Sequence, residues 1–264
     1  MLYSVIVKFK TKENVFFQHF PGESLHGMLF QILNKRDKKK ADELHNQYQV
    51  KPFTISPIIP YPRWQQGKMK LVAEKEHFFR ITFLEEEWYQ LFMSYFLHHN
   101  NKLQLQGADI EITKIITNSE QDKRCQHLEY QELREKAKPQ SKISFKVHST
   151  TTFRVGDRHI IFPAPNYLFH NLLNKWQMFG DEGLSLEDKD FEKVYVSRYD
   201  LQSTMEKFRD YPIKGFKGSC EYELDSILSK QKKKEINLLF DFAFYSGIGY
   251  KTTMGLGQVA RQNK

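Results

Sequence analysis

Four of the chain's 13 glycines lie within eleven residues near its C-terminus, in the glycine-rich segment 247–257. A dinucleotide-binding fingerprint would need glycines spaced as GxGxxG, and a Walker loop would need an adjacent Gly-Lys pair. Neither pattern fits, because the glycine after Gly249 is six residues on and Lys251 follows a tyrosine. Two interpretations remain. The segment is either a loop whose backbone N–H groups approach phosphates, assisted by Lys251 and Thr252, or a glycine-rich turn into a last strand.

A basic run, residues 35–40, is a second feature able to contact phosphates, because five of its six residues are lysine or arginine. The whole chain of 264 residues has 40 Lys and Arg against 32 Asp and Glu, a formal net charge of +8. A surface this basic favours a polyanionic partner, with nucleic acid ahead of membrane lipid. A run of like charges is also typical of a face that is only solvated, so the sequence leaves both interpretations open.

Several classes of site are excluded by composition. The two cysteines, Cys125 and Cys220, are far apart and form no CxxC pair, which excludes a disulfide framework and a cysteine-based zinc site. No HExxH or GxSxG pattern occurs, so we assign no metal and no cofactor. The first residues alternate as in a strand and do not resemble a signal peptide, and no stretch approaches the roughly 20 apolar residues of a membrane span. We therefore expect a cytoplasmic protein that does not contact a membrane.

Hydrophobic periodicity predicts the same order of elements twice. Residues 1–118 have the pattern strand, helix, strand, strand, helix, strand, beginning with a half-buried strand that alternates apolar residues with lysines. The polar segment 119–141 is predicted to be a linker, with a short helix around 130–136. Residues 142–264 repeat the order. Two successive β-α-β-β-α-β units predict an α+β fold made of two tandem ferredoxin-like domains.

Three further segments, taken with the glycine-rich segment, carry a resemblance to a known family. They are residues 45–57, residues 149–154 with Phe162 and Pro163, and residues 214–218. In this order they resemble the sixth Cas family of the repeat-associated CRISPR protein superfamily, the endoribonucleases that cut precursor CRISPR RNA within its repeats. The resemblance runs from the first strand to the last. It implies paired ferredoxin-like domains and RNA cleavage without a metal ion.

Cleavage of that kind uses the substrate's own 2′-OH as the nucleophile on the adjacent phosphate, and leaves a 2′,3′-cyclic phosphate and a 5′-OH. It needs one group to remove the 2′-OH proton, one to protonate the departing 5′-oxygen, and a cation for the charge that builds on the phosphorane. Imidazole suits the proton transfers because it titrates near neutral pH. The family's His-x5-Lys pattern matches His45 and Lys51, which implies His45 as a proton-transfer group and Lys51 as the cation.

One position departs from the family. Many relatives carry a tyrosine on the first helix, facing the histidine, whereas the aligned residue here is Phe30, whose ring cannot move a proton. His26 lies four residues earlier on the same helical face and could take over that task. It could equally pair only with the backbone or with water near the helix start. Which group is the base and which is the acid stays open.

The resemblance also bears on RNA binding. The basic run lies between His26 and His45 in the sequence, which favours phosphate contact there, and two further basic residues lie in family-like segments. The residues expected to contact RNA are Lys35, Arg36, Lys38, Lys39, Lys40, Arg154, Lys217, Gly247, Gly249, Lys251, Thr252, Gly255 and Gly257.

The implied partner is CRISPR repeat RNA, and contact with other Cas effector subunits or with a second copy is left open. The alternative function is a catalytically silent RNA-binding scaffold of a CRISPR effector complex, which Phe30 makes credible. A metal-dependent nuclease is a third alternative, for which the sequence supplies no ligand set.

Overall fold

The computed structural model describes residues 1–46, 48–65, 67–98 and 103–262. They divide into two compact units. The first unit comprises Met1–His127 together with Lys207–Tyr211 and Thr253–Gly255, and the second comprises the remaining described residues from Leu128 onward. The division falls within the segment 119–141, which contains a short strand and the helix expected around 130–136.

Among the described residues up to 128, the elements form two sheets and three helices. In chain order they are β1 (Leu2–Thr11), β2 (Val15–Phe17), α1 (Gly22–Arg36), α2 (Lys38–Asn46), β3 (Phe53–Ile55), β4 (Arg63–Gln65), β5 (Lys68–Leu71), β6 (His77–Phe83), α3 (Glu86–His98), β7 (Leu103–Leu105), β8 (Ala108–Ile116) and β9 (Gln126–Leu128). The main sheet has the order β3-β6-β1-β8-β7, β9 pairs with β1, and β2-β5-β4 form the second sheet. The four strands of the β-α-β-β-α-β unit are, in chain order, β1, β3, β6 and β8. Numbered 1 to 4, they lie in the sheet in the order 2-3-1-4, which is that of a ferredoxin-like sheet.

Helix α1 has the apolar face that its spacing predicts, because Leu25, Met28 and Leu29 are all buried. The first strand differs from its prediction. β1 was expected to be half-buried, but it is buried on both faces over most of its length. The second face is covered because Ile6 packs against Ile116 and Cys125, so the polar segment after β8 contributes to the core.

From residue 130 the order of elements repeats. The elements are α4 (Tyr130–Lys136), β10 (Lys142–Thr151), β11 (Phe153–Val155), β12 (Arg158–Ile160), α5 (Pro165–Phe179), α6 (Asp188–Phe191), β13 (Val194–Lys207), β14 (Pro212–Leu224), α7 (Lys230–Ser246), a 3-10 turn (Thr252–Met254) and β15 (Val259–Arg261). The antiparallel sheet has the order β13-β14-β10-β15, again 2-3-1-4. The prediction of two tandem ferredoxin-like domains is confirmed.

The core of the second unit is built from large aromatic side chains on α5, α7 and the sheet. Phe145 of β10 stacks on Tyr222 of β14 with ring centroids 5.5 Å apart. Trp176 of α5 meets Phe242 of α7 edge to face at 5.2 Å. Such pairs add to the free energy gained from buried area, and they fix the two helices against one face of the sheet. Among the described helices, we find none that combines the length and the apolar character needed to cross a bilayer.

Candidate functional site

The rings of His26, Phe30 and His45 lie together in the first unit. His26 and Phe30 are one turn apart on α1, and their ring centroids are 4.9 Å apart. His45, in the last turn of α2, meets the edge of the same phenyl ring at 5.3 Å and an interplanar angle of 84°. Phe30 is buried, His26 is half-buried and His45 is exposed. Two helices thus bring two imidazoles to one phenyl ring, which supplies an apolar contact and no proton.

The imidazole of His26 also contacts the glycine-rich segment. Its Nδ1 lies 3.2 Å from the carbonyl oxygen of Thr253, a residue that groups with the first unit. Because a carbonyl only accepts, this contact needs the proton on Nδ1, and the neutral tautomer then has its lone pair on Nε2. A backbone partner, one of the two roles that the sequence left open for His26, is therefore present.

The ammonium group of Lys51 lies at the C-terminal end of α2. It donates to the main-chain carbonyls of His45 (2.8 Å), Tyr48 (2.6 Å) and Leu44. The last carbonyls of a helix lack N–H partners and carry partial negative charge, so a cation there stabilises the helix end. Partial burial lowers the pKa of Lys51. The expected cation is thus beside His45, but all three of its protons point at backbone oxygens.

The basic run occupies the end of α1 and the start of α2, with Asp37 between them. Asp37 accepts a hydrogen bond from the backbone N–H of Lys40 at 3.0 Å and so begins α2. The side chains differ in their contacts. Arg36 donates to Ser94 at 3.0 Å and Lys40 pairs with Glu87. Lys38 and Lys39 are exposed at a shallow depression along α2, which Asp42, Glu43 and Asn46 also line. Lys35 is exposed with its Nζ 5.8 Å from the ring of Tyr95.

The four glycines of the glycine-rich segment all have positive φ, at 60° for Gly247, 77° for Gly249, 92° for Gly255 and 71° for Gly257. Two of them also sit against other parts of the protein. A Cβ on Gly249 would lie 2.3 Å from the carbonyl oxygen of Thr152, and a Cβ on Gly255 would lie 2.9 Å from the ring of Phe20. The turn interpretation thus accounts for these glycines without a ligand, and phosphate contact stays a prediction.

The remaining expected RNA-contacting residues lie in the second unit. Arg154 of β11 donates to the hydroxyl of Tyr250 at 3.1 Å and to the carbonyl of Gly156 at 3.0 Å. Lys217 of β14 lies 3.5 Å from a carboxylate oxygen of Glu206. Lys251 has its Nζ 5.7 Å from the neighbouring Tyr250 ring, and Thr252 is buried at the start of the 3-10 turn.

A buried lysine that the sequence analysis missed supports the start of the glycine-rich segment. Lys175 of α5 is 5% exposed, and its Nζ donates to the carbonyls of Ser246 (2.8 Å) and Gly247 (3.0 Å) at the end of α7. Burial lowers the pKa of Lys175 to about 7. The helical spacing already indicated this burial, because Lys175 follows Leu168 by seven residues and so lies on the apolar face of its helix.

The described residues include no group of three or more His, Cys, Asp or Glu side chains that could hold a metal ion. They form a pair of ferredoxin-like domains, and in the first of these the rings of His26 and His45 meet Phe30 beside the helix-capping Lys51. This architecture defines the class as a tandem ferredoxin-like protein.

Comparison with known proteins identifies the family. The family model of the CRISPR Cas6 N-terminal domain matches residues 1–135, and that of the CRISPR-associated endoribonuclease Cas6 matches residues 145–259. The chain therefore belongs to the Cas6 family, as the sequence resemblance implied. A CRISPR-associated endoribonuclease Cas6 of Streptococcus thermophilus is 22% identical over 250 residues, which cover 90% of each chain.

Solved structures agree on the fold. Thermus thermophilus Cas6 in a product complex is similar to this chain with a TM-score of 0.84 and 22% identity over 99% of both chains. A second structure of Thermus thermophilus Cas6, whose name mentions no product complex, is similar to this chain with a TM-score of 0.74 and 21% identity. The similarity covers 99% of this chain and 98% of the other.

Proposed function

We propose that this chain binds precursor CRISPR RNA and cuts it within its repeats by a metal-independent transesterification. The observation that carries the proposal is the convergence of His26 and His45 on Phe30, in a domain of the Cas6 family. A chain with two imidazoles near one apolar ring has the two proton-transfer groups that this chemistry requires. The exposure of His45 leaves room for a phosphodiester beside it.

The reaction is a single displacement at phosphorus. The 2′-oxygen forms a bond to the adjacent phosphorus as its proton passes to one imidazole, and the bond from phosphorus to the 5′-oxygen breaks as the other imidazolium supplies a proton. No water attacks, so the upstream product carries a 2′,3′-cyclic phosphate and the downstream product a 5′-OH. His45 and His26 are the two proton carriers, and the pH dependence of their variants assigns base and acid.

Lys51 has a different place in this proposal from the one that the His-x5-Lys pattern implies. Its ammonium group is directed at the carbonyls of Leu44, His45 and Tyr48, so contact with a phosphorane would require it to release at least one of them. We assign it as a positioning residue, which fixes the backbone of His45. The positive charge beside the phosphate is then assigned to Lys38 and Lys39, two exposed lysines of the basic run on α2, the helix that ends with His45 and Asn46.

The test uses labelled repeat RNA in EDTA, with wild-type protein and the His45→Ala variant. We expect the wild type to cut, and His45→Ala to cut at least about 10²-fold more slowly while binding RNA equally well. His127→Ala is the matched control, because His127 is an exposed histidine of the first unit outside the ring cluster, and it should cut normally.

A second substrate makes the test independent of the variant. A single 2′-deoxy nucleotide immediately upstream of the cut removes the nucleophile and leaves the phosphates in place, so it should be bound and not cut. Normal cutting of the deoxy substrate, or a 5′-phosphate on the downstream product, would overturn the mechanism. If no cognate repeat is cut but the RNA is bound, the silent scaffold is the better assignment.

A further inference from the structure

The second unit contains a cavity of about 560 Å³ that the proposed cleavage chemistry does not use. It is lined by α5, by β11, by α6 with the following Glu192, and by Gly249 and Tyr250 of the glycine-rich segment. A volume of this size is in the range of pockets that hold small molecules or single nucleotides. The cavity is therefore large enough for a small ligand, and its lining determines which ligand chemistry fits.

Helix α5 supplies two rows of polar side chains to the cavity. Asn166, His170 and Asn174 follow one another at intervals of four residues, and Tyr167 and Asn171 form the row beside them. Within the described part of the chain, the side chains of Asn166 and Asn174 make no hydrogen bond. Each amide offers two N–H donors and a carbonyl acceptor, which is the pairing capacity needed to read the edge of a heterocycle.

Aromatic rings form the apolar part of the same cavity. Phe153 and Phe191 are almost fully buried, whereas Tyr167 is 41% exposed. The Tyr167 ring stacks on Phe153 with centroids 6.3 Å apart and an interplanar angle of 24°. Because one face of the half-exposed Tyr167 ring packs on Phe153, its other face is left for a flat ligand to stack on. Unpaired bases stack on aromatic residues in this way.

The charges at the cavity argue against a phosphate as the occupant. Asp188 and Glu192 contribute two carboxylates, and Arg154 is the only lysine or arginine among the described residues that line the cavity. The Nδ1 of His170 lies 3.1 Å from a carboxylate oxygen of Asp188, so part of that charge already has a partner. An anion would be repelled at this edge, but an uncharged base with N–H donors would find acceptors there.

The cavity is connected to the glycine-rich segment, since the backbone N–H of Gly249 donates to the Asn171 side chain at 2.8 Å. We propose that this cavity binds one unpaired nucleobase of the repeat RNA, stacked on Tyr167 and hydrogen-bonded by Asn166 and Asn174. The inference rests on the proposed function in that the chain must bind repeat RNA. It does not depend on how the RNA is cut.

The test combines protein variants with abasic RNA. Repeat RNAs that lack one base at a time, at each unpaired position, are titrated against wild type, Tyr167→Ala and the double variant Asn166→Ala/Asn174→Ala. Tyr167→Phe keeps the stacking ring. Tyr195→Ala is the matched control, because Tyr195 on β13 is 49% exposed and lies outside the cavity. Thermal unfolding of each variant shows that it is folded.

For the wild type we expect one abasic position to weaken binding on the order of ten- to a hundredfold. Tyr167→Ala should bind intact RNA more weakly by a similar factor and should lose no further affinity at that position. Tyr167→Phe and Tyr195→Ala should keep the full abasic effect.

Unchanged RNA affinity in all cavity variants would overturn the inference and leave a different partner, such as a protein, for this surface. An abasic effect that persists in Tyr167→Ala would overturn it as well. In either case cleavage by the wild type, and its loss in His45→Ala, would still support the proposed function. If the protein does not bind repeat RNA at all, the nucleobase inference and the proposed function are both wrong.

Discussion

Lys51 donates a hydrogen bond to the main-chain carbonyl of His45, with 2.8 Å between Nζ and the oxygen. The same ammonium group donates to the carbonyls of Leu44 and Tyr48. A lysine six residues after the histidine thus returns to the end of the helix on which the histidine lies. The spacing that resembles a catalytic motif also satisfies a helix terminus.

Removing this ammonium group should therefore affect stability and rate together. We expect Lys51→Ala to lower the free energy of unfolding by about 1 to 3 kcal/mol, because three carbonyls lose a charged donor. We expect kcat to fall, with the Kd for RNA and its salt dependence nearly unchanged. Lys51→Arg, which can still reach some of the carbonyls, should recover part of the rate. A salt slope that falls in Lys51→Ala would instead indicate direct contact with a phosphate.

His26 should be needed for the second proton transfer. We expect His26→Ala to slow cleavage by about 10²-fold or more and to remove one limb of the pH–rate profile. Phe30→Tyr should change the rate little, since His26 already supplies a proton carrier at that ring. Single-turnover cleavage across pH measures both. A fast His26→Ala enzyme with an unchanged pH profile would show that another group moves the proton.

Lys38 and Lys39, two of the exposed lysines of the basic run, should contact phosphates, and the ion-paired Lys40 should contribute less. Replacing Lys38 and Lys39 by Ala should weaken RNA binding. It should also reduce the magnitude of the slope of log K against log salt by about 1.4, as expected for two lost contacts to a single strand. Lys40→Ala should have a smaller effect because Lys40 pairs with Glu87. Lys68→Ala, at an exposed lysine of β5, is the control. An unchanged slope would show that the run is a solvated face.

Gly255 should be required mainly by the fold. At a φ of 92°, with the Phe20 ring 2.9 Å from the position of a Cβ, valine is strained and crowded, so Gly255→Val should lose about 1 to 3 kcal/mol of stability. Gly27→Ala is the control, because that helix position is open and alanine favours a helix. RNA affinity per folded molecule then separates the two interpretations of the segment. Normal affinity supports the turn, and lost affinity supports contact with the RNA backbone.

Lys175 should make stability rise with pH. Burial lowers its pKa to about 7 from an ordinary value of 10.5, so between these values the unfolded chain binds a proton that the folded chain does not. The free energy of unfolding should then increase by up to about 1.4 kcal/mol per pH unit across that window. Lys175→Met should remove this slope and be less stable at alkaline pH, where the wild type gains most. Urea unfolding of wild type and Lys175→Met at pH 6.5, 8 and 9.5 measures this pH dependence. If the free energy of unfolding rises equally with pH in both proteins, Lys175 is not its source.

The sequence alone predicted the order of the main elements and both ferredoxin-like units, but not the small sheet β2-β5-β4. Alternation in the strands and the spacing of Leu25, Met28 and Leu29 depend on local periodicity, which one element carries by itself. The family also followed from the sequence, because its motifs occur in order along the chain. His45 could be named from those motifs, whereas His26 was named from its spacing four residues before Phe30 on one helical face.

Only the tertiary structure decided what each of these side chains meets. The burial of the second face of β1 depends on Ile116 and Cys125, which lie more than a hundred residues away in the chain. The contact of His26 with Thr253 spans 227 residues, and the cavity beside α5 combines four separate segments. Periodicity shows which face of an element is apolar, but not which distant segment will cover it. Lys51 illustrates the limit, because its position was visible in the sequence and its partners are set by the folding of the chain around the end of α2.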